Sequence, residues 1–487
     1  MRMNVRLNSK MSVLVMALVL AGCAAPLPPA ADATAQALPA QWPGKADSAA
    51  SAAATATATA ITADWWRSFG SAELDALVGQ AQAQSLDVAA ATARVRQASA
   101  AARSAGAALL PEVNASLNAS RQQRLGGNAS VDGSLFGAGL NASYEIDFWG
   151  RNRAGRDSAL AALQASAFDR DTLQLSVTAG VATTWLQAVA LRERIVIGES
   201  NLQSAQRLLA LIESRARAGA ATPLELAQQR GLVAGQRRGV EALRQQAGDA
   251  RSALALLLGQ GGAPAIATQT LAALQAPSVG AGLPAELLTR RPDIARAEAQ
   301  LAAADANLLA ARAALLPRLT LTGGIATGGD QLRRVFDNPL YSLAAGLAAP
   351  IFDAGRLAAG RDLAQAQREE LLAGYRAAIV AAFTDTEVAL NAVAGVAAQS
   401  AAQAEELAQA QRALTLAERR YRAGADSLLT LLDAQRTLYA AQDAAVQLQA
   451  LGLQASVALY KALGGGWSRT AAATLAENSL PLEGLTP

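Results

Sequence analysis

The sequence predicts a mainly α-helical protein that also contributes strands to a membrane β-barrel. Apolar residues make up 52% of the 487-residue chain but aromatic residues only 4%, a composition that favours close-packed helices over a bulky globular core. The chain also repeats itself at an offset of 205 residues. Each copy contains alternating apolar and polar runs of about 10 residues, the length of a tilted membrane-spanning strand.

The first residues have the pattern of a lipoprotein signal peptide. Three basic residues precede an apolar run over residues 11–20, which is too short to span a bilayer. The stretch LAGC at residues 20–23 is similar to a bacterial lipobox. We therefore predict a signal peptide over residues 1–22 and a covalent lipid on Cys23. The alternative is an ordinary secretory signal with a chance cysteine.

Charge and composition exclude several function classes. Removal of residues 1–22 deletes three basic side chains, which leaves 39 basic against 39 acidic residues and no sign of a nucleic-acid partner. The chain has no histidine, which excludes histidine-based triads, most zinc sites and haem ligation. No phosphate-loop motif is present. We expect no enzyme activity, metal or cofactor, although a surface hydrolase that uses only carboxylates stays open as an alternative.

The repeat determines the order of the predicted elements. Gly150-Arg151 recurs as Gly355-Arg356, and Arg217-Ala218-Gly219 recurs as Arg422-Ala423-Gly424, all 205 residues apart. The upstream stretch Leu109-Leu110-Pro111 recurs at an offset of 206. Each repeat is predicted as a helix, two strands, a long helix, a break and a helix, because long proline-free segments permit long helices.

The predicted helices fit side by side. A long helix over residues 151–217 spans about 100 Å, and short helices over 77–110 and 224–258 span about 50 Å each. The second repeat gives 357–422 beside 285–316 and 428–463. Two stacked short helices therefore match one long helix in each repeat.

The strand predictions, about 112–148 and 317–351, depend on alternation. In the first repeat, small or polar residues that include Glu145 and Asp147 occupy one face, and apolar residues such as Leu140 and Tyr144 occupy the other. We predict that Glu145 and Asp147 face the lumen at the base of the barrel. Four strands cannot close a barrel alone, since known ones have at least about 8, so the chain must pool its strands with copies of itself.

These elements divide the chain into six predicted segments. They are the signal peptide (1–22), a lipidated extended linker (23–64), the first repeat (65–258), a connecting belt at mid-height (259–284), the second repeat (285–464) and a C-terminal belt or tail (465–487).

The two Arg-Ala-Gly breaks are predicted as matched hairpin tips. Gly219 and Gly424 can adopt the left-handed conformation that ends a helix, while Thr222 is a good N-cap residue with Pro223 at the first helical position. From the residues alone, both tips could be simple turns.

Five stretches, taken in order, resemble the TolC-like outer-membrane factors, in their lipoprotein branch. These stretches are Trp65-Trp66 with Phe69, YEIDFWGR at 144–151, RPDI at 291–294, PIFDAGRL at 350–357 and YRAGADSLLTLLDAQ at 421–435. The resemblance covers nearly the whole mature chain.

The resemblance implies a homotrimer with a twelve-stranded barrel in the outer membrane and a periplasmic α-helical barrel closed at its far tip. It further implies docking to a periplasmic adaptor and an inner-membrane pump of the resistance-nodulation-division type. The chain would be the passive duct through which that system exports drugs or other small molecules. Type I protein secretion and metal export use similar ducts and stay open as alternatives.

The resemblance also assigns residues. Leu429 would form an apolar constriction and Asp433 an anionic ring at the periplasmic aperture, able to bind multivalent cations. Some relatives carry a second Asp where this chain has Thr430, and the part of Glu225 is left open. The residues expected at the adaptor-docking tips are Gly219, Thr222, Pro223, Tyr421, Arg422, Gly424 and Asp426.

The main competing hypothesis is a structural coiled-coil lipoprotein without a pore. Such a protein has no need of four amphipathic strands of membrane-spanning length, so the strand pattern favours the duct.

Overall fold

The computed structural model describes residue 42 and residues 61–123, 125–126, 132–275, 277, 282 and 284–469. These residues belong to the second of two compact units, Leu38–Pro487. Cys23, the predicted signal peptide and residues 470–487 of the predicted tail lie outside the described residues.

The described residues form eight α-helices and four strands. In chain order they are α1 (Ala72–Gln84), α2 (Leu86–Ala107), β1 (Glu112–Gln123), β2 (Asp132–Ile146), α3 (Arg151–Arg217), α4 (Pro223–Leu257), α5 (Leu287–Arg290), α6 (Pro292–Ala313), β3 (Arg318–Gly329), β4 (Pro339–Ala348), α7 (Arg356–Arg422) and α8 (Leu428–Ala462). Each long helix, α3 and α7, has 67 residues and is about 100 Å long.

The structure confirms the internal repeat. The bounds of α3 and α4 recur as those of α7 and α8 at an offset of 205, and those of α2 and β1 recur as α6 and β3 at an offset of 206. The offset changes within the strand hairpin, because Glu112 opposes Ser143 whereas its equivalent Arg318 opposes Ala348. The second hairpin is thus one residue shorter.

The first short helix of each repeat was predicted wrongly as one unbroken element. The segment 77–110 is two helices that meet at Ser85, and 285–316 is the single turn α5 followed by α6, with the break at Arg291. Ser85 and Arg291 both have extended ψ angles, 125° and 122°. Pro292 explains the second break, since the residue before a proline avoids the helical region.

The four strands form one antiparallel sheet in the order β1-β2-β3-β4. Its register places apolar residues in rows across one face, for example Ala115, Leu140, Ile325 and Tyr341. The adjacent row, on the opposite face, is Asn114, Asn141, Gly324 and Ser342. The predicted alternation is confirmed, and the apolar face is largely exposed in the single chain.

The helices pack mainly along α3 and α7. α3 contacts α2, α4, α6 and α8, and α7 contacts α6 and α8. The largest core cluster, with Trp65, Phe69 and Trp185 fully buried, joins α1 and the middle of α3 to the C-terminal half of α8.

A buried arginine fastens the middle of the second repeat. Arg291 is 9% exposed, makes a two-bond ion pair with Asp293 (3.0 and 2.7 Å) and pairs with Asp385 of α7 (3.1 Å). It also donates to the carbonyl oxygen of Ala462, the last residue of α8 (3.2 Å). One guanidinium thereby joins the start of α6, the middle of α7 and the end of α8.

This network predicts sensitivity to acid. Burial opposes ionisation of Asp293, but the hydrogen bonds and charge of Arg291 outweigh it and lower the pKa of this carboxyl. A carboxyl with a lowered pKa stabilises the folded state above its unfolded pKa of about 3.9 and loses that contribution as the pH falls through the folded value. We expect the urea midpoint to fall below about pH 4, and Asp293→Asn to flatten this part of the pH profile. An unchanged profile in that variant would contradict the assignment.

Candidate functional site: the paired hairpin tips

Both tips close by the same backbone motif. After α3, the amide of Ala220 donates to the carbonyl of Arg215 and that of Gly219 to the carbonyl of Ala216. After α7, Ala425 and Gly424 repeat these two bonds. The pattern is a Schellman motif, which needs a left-handed residue at its turn. Gly219 (φ +71°) and Gly424 (φ +74°) supply it.

The first tip continues into α4 through a capping box. The Thr222 hydroxyl accepts from the amide of Glu225 (3.2 Å), and the Glu225 carboxylate accepts from the amide of Thr222 (2.6 Å). Pro223 occupies the first helical position, where its missing N–H costs nothing. Glu225, whose part was open from the sequence, is therefore a capping residue.

Loss of this cap has a predictable cost. Thr222→Ala should lower the free energy of unfolding by about 1 kcal/mol, because the amide of Glu225 loses its acceptor. Chemical denaturation at fixed protein concentration measures the change. Thr415→Ala, in which the hydroxyl only bonds back to the carbonyl of Gln411 within α7, is a matched control and should have little effect. Equal losses in both variants would contradict a specific role of the cap.

The second tip relies on side-chain contacts of its own. Ser427 caps α8 by accepting from the amide of Thr430 (3.4 Å), and Asp426 pairs with Arg420 (2.9 Å). Arg422 pairs with Glu418 one turn earlier in α7 (3.2 Å). Both ion pairs lie within the α7–α8 hairpin and are largely exposed, so each contributes at most about 1 kcal/mol.

Tyr421 packs the two tips against each other. Its side chain is buried in a cluster that includes Ile212 of α3, Leu232 of α4 and Leu428 of α8. The guanidinium carbon of Arg215, from the first tip, lies 5.1 Å from the centre of the Tyr421 ring, within cation–π range. The two hairpins of one chain therefore form a continuous tip surface.

Leu429 and Asp433 lie on the side of α8 that faces away from this cluster. Leu429 is 62% exposed and Asp433 is also exposed, whereas the preceding Leu428 and the intervening Leu431 and Leu432 are buried. Within the part of the chain that the structure describes, Asp433 has no ion-pair partner. The two side chains are one helical turn apart and are free to meet something outside the chain.

Glu145 and Asp147 meet the start of α3. Glu145 is on the polar face of β2 and makes a two-bond ion pair with Arg151 (3.2 and 2.8 Å). Asp147 follows the end of β2 at Ile146 and accepts from the amides of Asn152 and Arg153 (2.9 and 2.8 Å). Asp147 is thus a helix-capping residue at the junction of strand and helix, a geometry that favours its carboxylate at the positive end of α3.

Sequence reasoning missed two contacts that depend on distant parts of the chain. Trp42 is 4% exposed, stacks on Phe383 of α7 at 5.0 Å and donates from its indole nitrogen to the carbonyl of Gly282 (3.0 Å). The Arg291 network was missed as well. The position of Arg291 directly before Pro292 indicates a helix break but not burial, and its partners lie 94 and 171 residues away.

The sequence matches the outer membrane efflux protein family over residues 77–260 and 283–465. The chain belongs to the outer membrane efflux protein family. The two matched segments follow the two structural repeats.

The similar proteins are outer-membrane export components. The pyoverdine export outer membrane protein OpmQ of Pseudomonas aeruginosa is 53% identical over 83% of this chain and 87% of its own length. The OpmQ of Pseudomonas putida is 50% identical over 93% and 97%. The cation efflux protein CusC of Escherichia coli is 31% identical over 84% and 89%.

Solved structures of outer-membrane channels have a similar fold. A structure of CusC is 30% identical with a TM-score of 0.78, covering 88% of this chain and 97% of that one. A structure of the open state of the Neisseria gonorrhoeae outer-membrane channel MtrE is 30% identical with a TM-score of 0.74, covering 81% and 90%. The chain is accordingly an outer-membrane efflux channel with a periplasmic helical part, as its resemblance to the family implied.

Proposed function

We propose that three copies of this chain form a passive exit duct, closed at the periplasmic tips by Leu429 and Asp433, that receives small molecules from an adaptor and an inner-membrane pump. The observation that carries the proposal is the four-stranded sheet with one exposed apolar face. Among the residues that the structure describes, its outer strands β1 and β4 each pair on one side only. An open strand edge is not tolerated in lipid, so β1 of one copy pairing with β4 of the next supports a closed barrel.

The exposed surface of α7 supports the same assembly. An 18-residue stretch of this helix has a mean hydropathy of 1.4, yet only 22% of the stretch is buried within the chain. Because the helix continues from the end of the sheet toward the tips, neighbouring copies are the natural cover for this surface. Three copies then place six hairpin tips in a ring.

The proposed gate uses the exposed side of α8. Three Leu429 side chains around the axis would form an apolar constriction, and three Asp433 carboxylates would concentrate negative potential beside it. This arrangement favours cations and can hold a multivalent cation. The tip surface built by Gly219, Thr222, Pro223, Tyr421, Arg422, Gly424 and Asp426 would receive the adaptor.

We propose in addition that Cys23 carries a covalent lipid, because the stretch LAGC at residues 20–23 is similar to a bacterial lipobox.

We propose that the cargo is a secreted small molecule of the pyoverdine kind. The support is the 53% and 50% identity to two pyoverdine export proteins, against 37% for a solvent efflux relative and 31% for a cation efflux relative.

Complementation tests this proposal. The gene is expressed in a Pseudomonas strain that lacks its own pyoverdine export channel, and extracellular pyoverdine is measured by fluorescence. Restored secretion is the expected result. Restored tolerance to toluene or to a metal cation without restored pyoverdine would contradict the proposed cargo. The absence of any conductance in planar bilayers, even by the variant with Leu429→Ala and Asp433→Asn, would contradict the duct itself.

A further inference from the structure

A groove of about 530 Å³ lies between α4 and α8, a few turns from the tips. One wall is α4, which contributes Gln228, Gly231, Gly235 and Arg238, and Arg436 of α8 reaches in from the other side. None of the described residues that line the groove is acidic. The groove therefore presents two positive charges, from two different helices, to the same space.

The two arginines differ from Arg230 and Arg244 of the same helix, which are paired, whereas Arg237 is also without an ion-pair partner among the described residues but lies outside the groove. Arg230 pairs with Glu213 (3.0 Å) and Arg244 with Glu199 (2.7 Å), so the flanking parts of α4 are neutralised. Arg238 and Arg436 are exposed and have no ion-pair partner among the residues that the structure describes. A guanidinium is always charged and offers a planar fork of donors that suits an oxyanion.

The residues that charge this groove differ between the two repeats. The equivalent of Arg238 in the second repeat is Asp443, which is held in a two-bond ion pair by Arg194 of α3 (2.6 and 3.0 Å). The equivalent of Arg436 in the first repeat is Gly231. At one pair of matching positions α4 has glycine and α8 has arginine, and at the other α4 has arginine and α8 has aspartate. Both arginines without an ion-pair partner therefore line the same groove.

The glycines keep the groove open. A Cβ atom added at Gly231 or Gly235 would meet no atom within 4 Å, so packing inside the chain does not require glycine at either position. Glycine is the weakest helix former after proline. Gly231 and Gly235 are one turn apart on an exposed face of α4. They leave room for a group that approaches the backbone and both guanidinium groups.

The groove opens beside the proposed gate. Arg436 follows Leu429 by seven residues and Asp433 by three, which places the three side chains on one side of α8. In the proposed trimer, Arg436 is therefore accessible from the lumen, like Leu429 and Asp433.

We propose that this groove binds an oxyanion group, a carboxylate or a phosphate, of the cargo as it passes the gate. The inference rests on the proposed duct, and it refines the cargo to molecules that carry a negative group. Each guanidinium takes one edge of the oxyanion, and the glycine wall admits the rest of the molecule. The Asp433 carboxylates repel the same anion from either side, so its passage requires the open state of the tips.

Binding to purified full-length protein in detergent tests the site directly. Citrate and inorganic pyrophosphate are titrated by calorimetry at low salt, and their relative affinities tell a carboxylate site from a phosphate site. Arg238→Gln and Arg436→Gln should each weaken binding roughly tenfold, the loss of one charge-assisted hydrogen-bonding partner. Arg237→Gln, on the neighbouring residue outside the groove, is the matched control and should change affinity less than about twofold.

A second variant removes the space and keeps the charge. Gly235→Leu should weaken binding by a similar factor, because the side chain occupies the groove and leaves both positive charges in place. Absence of binding by the unmodified protein, or equal losses in Arg237→Gln and Arg238→Gln, would overturn the inference. Conductance in planar bilayers is recorded on the same samples: channels that conduct but bind neither anion leave the duct intact and refute the groove, whereas binding without conductance refutes the duct.

Discussion

Leu429→Ala combined with Asp433→Asn is expected to raise the single-channel conductance of the purified protein by on the order of tenfold. The alanine removes the apolar side chain that would narrow the aperture, and the asparagine removes three carboxylates from the ring. Cation selectivity should fall in the same variant, since a ring of like charge is what concentrates cations. Multivalent cations added from the tip side should block the unmodified channel and not the variant.

The internal repeat provides a matched control for the gate. Leu224 on α4 is the equivalent of Leu429 at an offset of 205 and is equally exposed, 66% against 62%. If the gate belongs to the α7–α8 hairpin, Leu224→Ala leaves conductance unchanged. A rise of similar size in Leu224→Ala would show that both hairpins line the aperture, and no change in the double variant would remove Leu429 and Asp433 from the gate.

Local sequence pattern was sufficient to predict the long helices of the repeat and the faces of the strands. The bounds of α3 and α7 followed from Arg-Ala-Gly breaks and long proline-free segments, and the strand faces followed from period-two alternation. The break at Ser85 was missed because serine is tolerated inside helices and no proline follows it. The prediction extended β2 past Ile146, because Asp147 continues the polar alternation. In the structure Asp147 instead caps the start of α3.

The tip geometry was partly visible in the sequence. Thr222 and Glu225 form the T-x-x-E pattern of a capping box, which was available as a signal and was not used. Partners of Arg422 and Asp426 were not predictable, because each could reach several exposed charges. The groove at Arg238 could not be found from sequence, since it depends on how α4 and α8 pack.

Loss of Arg291 should strongly destabilise the chain. Arg291→Met removes the positive partner of Asp293 from a buried ion pair and leaves the carbonyl of Ala462 only the long bond from the Thr386 hydroxyl (3.4 Å). Breaking a buried pair in this way costs about 3–5 kcal/mol, because an uncompensated charge stays away from water. Denaturant midpoints should be compared at equal protomer concentration, since the stability of an oligomer depends on it.

A variant at the neighbouring Arg290 shows whether the loss is due to the buried position or to the charge alone. Arg290 is 45% exposed in its side chain and pairs with Glu286 (2.9 Å), so Arg290→Met removes the same charge from an exposed site and should cost at most about 1 kcal/mol. Arg291→Met with Asp293→Leu should recover part of the loss, because it removes the stranded carboxylate as well. Equal destabilisation by Arg290→Met and Arg291→Met would show that net charge, and not the buried network at Arg291, holds the three helices together.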